Sequence, residues 1–238
     1  MGNAKKAYYD EAYTIKGIRK SPLPMLTNIS RRLKRFDISG QQRIFHLLTP
    51  NEKILDIGCG AGSFVFKAKK KFKEVYGADI SEVAIKKAAE AARKRDDKYA
   101  FHFSAYDVDE GLPFADSFFD AVTCMAVLEH VIHPPSLLKE IKRISKKGAE
   151  LIILIPNDAW LPYRFQSLVG KIPQSGGVNE LGVDWGHLHK FNKSLSIKLL
   201  QSIGFHVTAV TCSGIFANYR KKWLSLLSGD IIIKAIKR

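Results

Sequence analysis

Along most of this chain apolar positions follow two alternating periods. Short strand-length runs occur at 54–57, 74–81, 99–104, 121–125, 151–155, 205–211 and 231–236. Between them lie stretches with apolar residues three and four apart, as over 64–72, the alanine-rich run to Arg95, and 194–203. Strand and helix patterns in regular alternation predict a doubly wound α/β architecture with a mostly parallel sheet. Ser81 before Glu82 supplies a helix start and Gly204 a helix stop. The expected fold is a Rossmann-like, seven-stranded, mostly parallel sheet with an antiparallel last strand, plus an N-terminal helical segment. Residues 1–50 are expected as a helical cap, broken at Ser21-Pro22-Leu23-Pro24 and at Ser39-Gly40 and ended by Thr49-Pro50. Residues 51–238 form the main domain, with an insertion at about 157–192 and a basic amphipathic helix over 213–228.

The first strand leads into the stretch ILDIGCGAGSF, 54–64. A strand, a glycine-rich turn and a helix start make a seat for a nucleotide, because glycines let the backbone pass close under a ligand and the helix offers free N–H groups. A dinucleotide fingerprint would place its third glycine where Ser63 stands, which weakens a nicotinamide assignment. Asp79 ends the second strand about 20 residues beyond the glycines, where an acid takes ribose hydroxyls in either nucleotide assignment.

The spacing D-x-G-x-G-x-G from Asp56 resembles motif I of class I S-adenosylmethionine (SAM)-dependent methyltransferases. Three later segments agree with it in order: Asp79, then AYDVDEGLPFADSFFDAV at 105–122, then AVLEHV at 126–131. Together they resemble the small-molecule methyltransferases of ubiquinone and menaquinone biosynthesis. The resemblance covers 53–212 well and the ends poorly. It implies SAM as cofactor and S-adenosylhomocysteine as product. It also implies a donor site of Asp56, Gly58, Cys59, Gly60, Gly62, Asp79, Ile80, Asp107, Val108, Met125 and Ala126. Asp56 would lie near the methionine end, Asp107 beside the adenine amino group, and Met125 and Ala126 along the sulfonium; Asp109 is the alternative to Asp107.

His130 follows the fourth strand's carboxyl end, where open α/β sheets place their chemistry, and a histidine there takes a proton near neutral pH. It is the first candidate base, with His187 the second. His187 and His189 form H-x-H, but no third ligand stands near them in sequence, so no metal is expected. Tyr9 and Tyr13 fall on a segment that would close over the site, although aromatics at helical spacing are more often packing residues. No N/D-P-P-Y/F/W follows the fourth strand, which favours oxygen or carbon over nitrogen acceptors among methyltransferases of this type.

Charge adds a further constraint. The net +15 divides unevenly: residues 1–50 carry ten Lys/Arg against three Asp/Glu, 51–158 carry seventeen against seventeen, and 159–238 carry eleven against three. The basic excess lies on the flanks, which suits an anionic or lipid-linked acceptor; the segment 213–228 is expected to pack on the body or on a second subunit, as in a homodimer, with peripheral membrane contact as the alternative. An RNA methyltransferase and a non-catalytic SAM-binding regulatory protein remain as alternatives; no recognised RNA-binding module supports the former. Three scattered cysteines give neither a disulfide framework nor a zinc motif, and the longest apolar run, 151–155, is strand-sized. A cytoplasmic placement, with peripheral contact at the membrane, follows as the expectation.

Overall fold

The computed structural model describes residues 2–14, 37–170 and 187–238. Strand β1 (Asp37–Ile38) is short and pairs outside the main sheet. The main sheet holds β2 (Asn51–Ile57), β3 (Phe72–Asp79), β4 (Phe101–Ala105), β5 (Phe119–Met125), β6 (Ser145–Pro156) and β7 (Phe205–Thr211). Strand β8 (Gly214–Ile215) is β1's antiparallel partner, and β9 (Asp230–Lys237) returns to the main sheet. The order across it is β4-β3-β2-β5-β6-β9-β7. Pairings from β4 to β6 are parallel, and β9 runs antiparallel to both its neighbours. This is the expected seven-stranded, mostly parallel sheet.

Central strands covered on both faces need continuous apolar runs. Leu151, Ile152, Ile153 and Ile155 of β6 are all buried and contribute to cores on opposite faces of the sheet. On one face α5 (Pro134–Ile144) buries Leu137, Leu138, Ile141 and Ile144, and α7 (Lys193–Ile203) adds Leu200. On the other, α2 (Gly40–Leu47) buries Ile44 and α3 (Ser63–Ala68) buries Phe64, Val65 and Ala68. Helix α4 (Glu82–Arg93) contributes only Ala84, Ala88 and Ala92 to its buried face, and these small side chains let it lie close to the sheet. The N-terminal helix α1 (Gly2–Thr14) packs beside α4.

The motif LPFADSFFD has a structural basis. Arg143 of α5 donates to the Leu112 and Phe114 carbonyls, each at 2.8 Å, and to Asp116 at 2.6 Å. It is itself held by Glu140 at 2.8 Å. Asp120 accepts the Lys53 N–H at 2.9 Å and pairs with Lys146 at 2.7 Å. These acids therefore fasten the loop and β5 to their neighbours.

Two expectations are corrected. The helix expected over 64–72 ends at Ala68, because Phe72 is buried as the first residue of β3. The segment 213–228 is not one helix. Gly214–Ile215 pairs with β1, Phe216 has φ of 56°, and only two short helical pieces follow, α8 (Ala217–Arg220) and α9 (Leu224–Leu227). The glycine-rich part of the 157–192 insertion, which follows α6 (Leu161–Leu168), and the proline break at 21–24 lie outside the described residues. Among the described residues no helix is long and apolar enough to cross a membrane.

Candidate active site

The parallel register aligns strand ends: Ile57 stands beside Ala78 and Cys124. The glycine turn, Asp79 and Met125-Ala126 therefore meet at one sheet edge, as ligand sites in open α/β sheets do. Gly58 and Gly60 have φ of 73° and 53°, a region that L side chains rarely adopt. The Gly58 and Cys59 N–H groups both donate to the Ala78 carbonyl, at 2.8 and 3.0 Å. A Cβ at Gly58 would strike Val127, and one at Gly60 would strike the Tyr13 hydroxyl.

Two concavities adjoin at this edge. A partly open cavity of about 140 Å³ is lined by Asp79, Ile80, Asp107, Val108, Ala126 and His130, with Tyr9 and Tyr13 of α1 on its wall. A more open cleft of about 570 Å³ is lined by Asp56, Cys59, Gly60 and Met125, with Ser39, Gly40 and Gln41 opposite. Gly58 and Tyr13 border both. Of the eleven donor-site residues expected from the sequence, Gly62 alone lines neither space. It begins α3 with φ of 82°, and Phe66, Ala88 and Phe103 crowd the position of its missing Cβ.

The acids differ in their surroundings. Asp79 accepts the Gly60 N–H at 2.8 Å and the Ser81 N–H at 2.9 Å, so it shapes the glycine turn while facing the cavity. Burial raises its pKa, and those N–H donors act against the rise. Asp56 is buried and accepts from the Thr123 hydroxyl at 2.7 Å, and its Oδ2 has no hydrogen-bond partner among the described residues. Burial pushes its carboxyl up to about 7. An orphaned carboxylate oxygen beside an open cleft suits a cationic amine, and the glycine cradle leaves backbone surface bare. The donor set therefore fits SAM. Asp109 accepts the Ile132 N–H at 2.9 Å and pairs with Lys5 at 2.8 Å. Asp107 lines the cavity and caps the turn after it, accepting the Asp109 N–H at 3.0 Å.

Helix α1 covers the cavity through polar contacts. Asp10 accepts from the Ser81 hydroxyl at 2.6 Å and the Val83 N–H at 3.2 Å, which places a carboxylate at the N-terminus of α4. Lys6 pairs with Glu82, and Lys5 reaches Asp109. Burial raises the Tyr9 and Tyr13 phenols to about 12, so both remain protonated at neutral pH.

The histidines regroup. His189, expected beside His187, turns away: its Nε2 lies 3.0 Å from the Val131 carbonyl and 3.2 Å from that of Ile132. His187 instead meets His130, with rings edge to face at 4.9 Å, and Tyr9 stands edge-on to His130 at 6.1 Å. Glu129 lies beneath them, with Oε1 4.0 Å from His187 Nε2, and burial raises its carboxyl to about 7. Both candidate bases thus sit at one end of the cavity, and His130 forms part of its lining.

Sequence reasoning missed Lys5, Tyr106, Val127 and Val131 in the cavity wall, the Ser39-Gly40-Gln41 wall of the cleft, and Glu129. The S-x-x-Q capping box at Ser39 and Gln42 was a legible signal for the second of these, because it fixes the start of α2. Nothing local marked Tyr106, whose buried hydroxyl has no partner among the described residues.

Comparison with known proteins bears on the family and the fold. The family model described as "Methyltransferase domain" matches residues 48–193. The ubiquinone biosynthesis O-methyltransferase of Alkalilimnicola ehrlichii is 33% identical over 116 residues, which are 49% of this chain and 46% of that protein. The ubiquinone/menaquinone biosynthesis C-methyltransferase UbiE of Burkholderia mallei is 29% identical over 143 residues, 59% of this chain and 56% of that one. The chain thus spans about half the length of the curated relatives it matches. A crystal structure of a SAM-dependent methyltransferase from Methanosarcina mazei superposes with a TM-score of 0.62 at 25% identity, covering 84% of this chain and 98% of that one. The matched span takes in the glycine turn, the three strand-end acids and the histidine pair, and the chain belongs to the methyltransferase domain family, whose methyl donor is S-adenosylmethionine.

Proposed function

We propose that the chain transfers the methyl group of SAM to an oxygen or carbon of a small acceptor that is anionic or lipid-linked. The observation that carries this is the meeting of ten expected donor-site residues in two adjoining spaces, with His130 and His187 at the far end of one of them. Asp56 would hold the donor's ammonium, Asp79 its ribose and Asp107 its adenine. Bound there, SAM supplies a methyl on a sulfonium that needs no further activation. The protein's own work is to align the acceptor, exclude water and remove a proton. The His130 imidazole is placed to take the acceptor's proton. Tyr9, packed against His130, covers the site with a phenol that stays neutral.

The anionic, lipid-linked part of the proposal draws on the basic flanks and on two exposed segments. There Phe165, Leu168, Tyr219 and Trp223 are exposed on α6 and the segment around α8, with Arg164, Arg220 and Lys222 among them. Apolar aromatics mixed with cations suit an amphiphile bearing negative charge. The test is transfer of tritiated methyl from SAM into a fractionated lysate. Label in the small-molecule or lipid fraction supports the proposal; label in RNA, or in no fraction, rejects it.

A further inference from the structure

We infer that Glu129, His130 and His187 form a three-ligand site for a divalent transition-metal cation at the mouth of the donor cavity. Its open position would receive a hydroxyl oxygen of the acceptor. The side-chain donor atoms of these three residues all lie within 4.8 Å of one another. Two neighbours come from the turn after β5, and the third arrives 57 residues later in sequence from the loop before α7. That meeting is enforced by backbone. The Leu188 and His189 N–H groups donate to the Glu129 carbonyl at 2.7 and 3.3 Å, and the His189 ring is tied to the Val131 and Ile132 carbonyls. The loop is therefore fastened directly beside His187, leaving its imidazole directed at Glu129 and His130.

A second observation points to a ligand. Glu129 is 1% exposed, and its Oε2 is buried with no hydrogen-bond partner among the described residues. The 4.0 Å between Glu129 and His187 is too long for a hydrogen bond, so an ordinary carboxylate–imidazole pair does not account for this buried acid. A cation between the three groups would satisfy it. Metal–ligand bonds of about 2.0–2.1 Å put tetrahedral donors roughly 3.3 Å apart, a closure that small side-chain rotations achieve from the spacing seen here. Two imidazoles with one carboxylate select a borderline ion of the zinc, cobalt(II) or iron(II) kind over magnesium or calcium. Three protein ligands leave a coordination position open, as in catalytic sites. Because His130 also lines the cavity, that position adjoins the place where the methyl would be presented. A bound cation lowers the pKa of a coordinated hydroxyl, so the acceptor would give its proton to solvent water and stand as an oxygen anion whose lone pair forms the O–CH3 bond as the sulfonium C–S bond breaks, leaving S-adenosylhomocysteine. His130 and His187 would then hold the ion in place of acting as free bases.

The acceptor's identity as a hydroxyl rests on the methyl-transfer proposal, but the metal site does not, and the test separates them. Untagged full-length protein is stripped with a chelator and titrated with cobalt(II), following the visible absorption of a low-symmetry cobalt centre, and then with zinc in competition. Binding of S-adenosylhomocysteine is measured on the same samples. The expected result is one cobalt per chain, displaced by zinc and not by magnesium. His187→Gln and Glu129→Gln should each weaken cobalt binding by at least about 100-fold, since two remaining ligands no longer close a site, while S-adenosylhomocysteine binding persists and reports a folded chain. Cobalt that binds at no stoichiometric site, or equally well to both variants, overturns the inference. Cobalt bound as expected without any S-adenosylhomocysteine binding would leave the metal site standing and remove the methyl-transfer proposal instead.

Discussion

The Tyr13 hydroxyl lies directly over Gly60, close enough that a single added methyl at residue 60 would overlap it. The pair marks the boundary between cavity and cleft, and a donor touching both Asp56 and Asp107 must pass this point. Gly60→Ala is expected to weaken S-adenosylhomocysteine binding by about tenfold or more, combining the collision with φ of 53°, a strain of order 1–3 kcal/mol for a residue with a Cβ. Adding Tyr13→Ala to that variant relieves the collision and leaves the strain, so titration calorimetry should show partial recovery. No loss in the single variant would remove this boundary from the donor's path.

Asp56 predicts opposite pH trends for stability and for binding. Its folded pKa of about 7 exceeds the value near 3.9 of an exposed aspartate, so the folded state holds the proton more tightly than the unfolded chain does. The contribution to stability is complete below about pH 4 and is lost as pH rises through about 7. The ligand-free protein should therefore melt at a higher temperature at pH 6 than at pH 8, with a smaller difference in Asp56→Asn. An ammonium-bearing ligand needs the carboxylate, so SAM affinity should rise from pH 5.5 to 7.5 with proton release, seen as a binding heat that depends on the buffer. A pH-independent affinity would detach Asp56 from the donor's amine.

Arg143→Ala should destabilise the fold by roughly 2 to 3 kcal/mol, since it strips charged hydrogen bonds from the Leu112 and Phe114 carbonyls. The change should appear in urea unfolding. Because Arg143 lines neither concavity, S-adenosylhomocysteine affinity at low temperature should change little.

The contacts of α1 predict local opening. Lys5→Ala with Asp10→Ala removes the bond to Asp109 and the carboxylate at the start of α4. Hydrogen exchange at residues 2–14 should accelerate while the central strands keep their protection. Unchanged exchange there would show that these polar contacts do not hold the helix down.

Much of the sheet was legible because buried parallel strands carry uninterrupted apolar runs and the glycine turn announces itself by spacing. The different surroundings of Asp107 and Asp109 were not, since two acids two residues apart in one loop look alike until tertiary contact brings the Ile132 N–H to one of them. The helical period over 213–228 misled because it counts side chains and ignores backbone: Gly214–Ile215 is drawn into pairing with β1, and Phe216 at φ of 56° turns the chain. Glu129 was visible only as a letter in LEHV. Its burial and its meeting with His187 depend on a tertiary contact that no local spacing encodes.

The central claim is that the space between the glycine turn and the strand-end acids holds an adenosyl-sulfonium donor. Calorimetric titration of the full chain with S-adenosylhomocysteine, set beside NAD, tests it most directly. The account predicts one equivalent of S-adenosylhomocysteine bound and no saturable heat from NAD. Saturable binding of NAD, with none of S-adenosylhomocysteine, would contradict it.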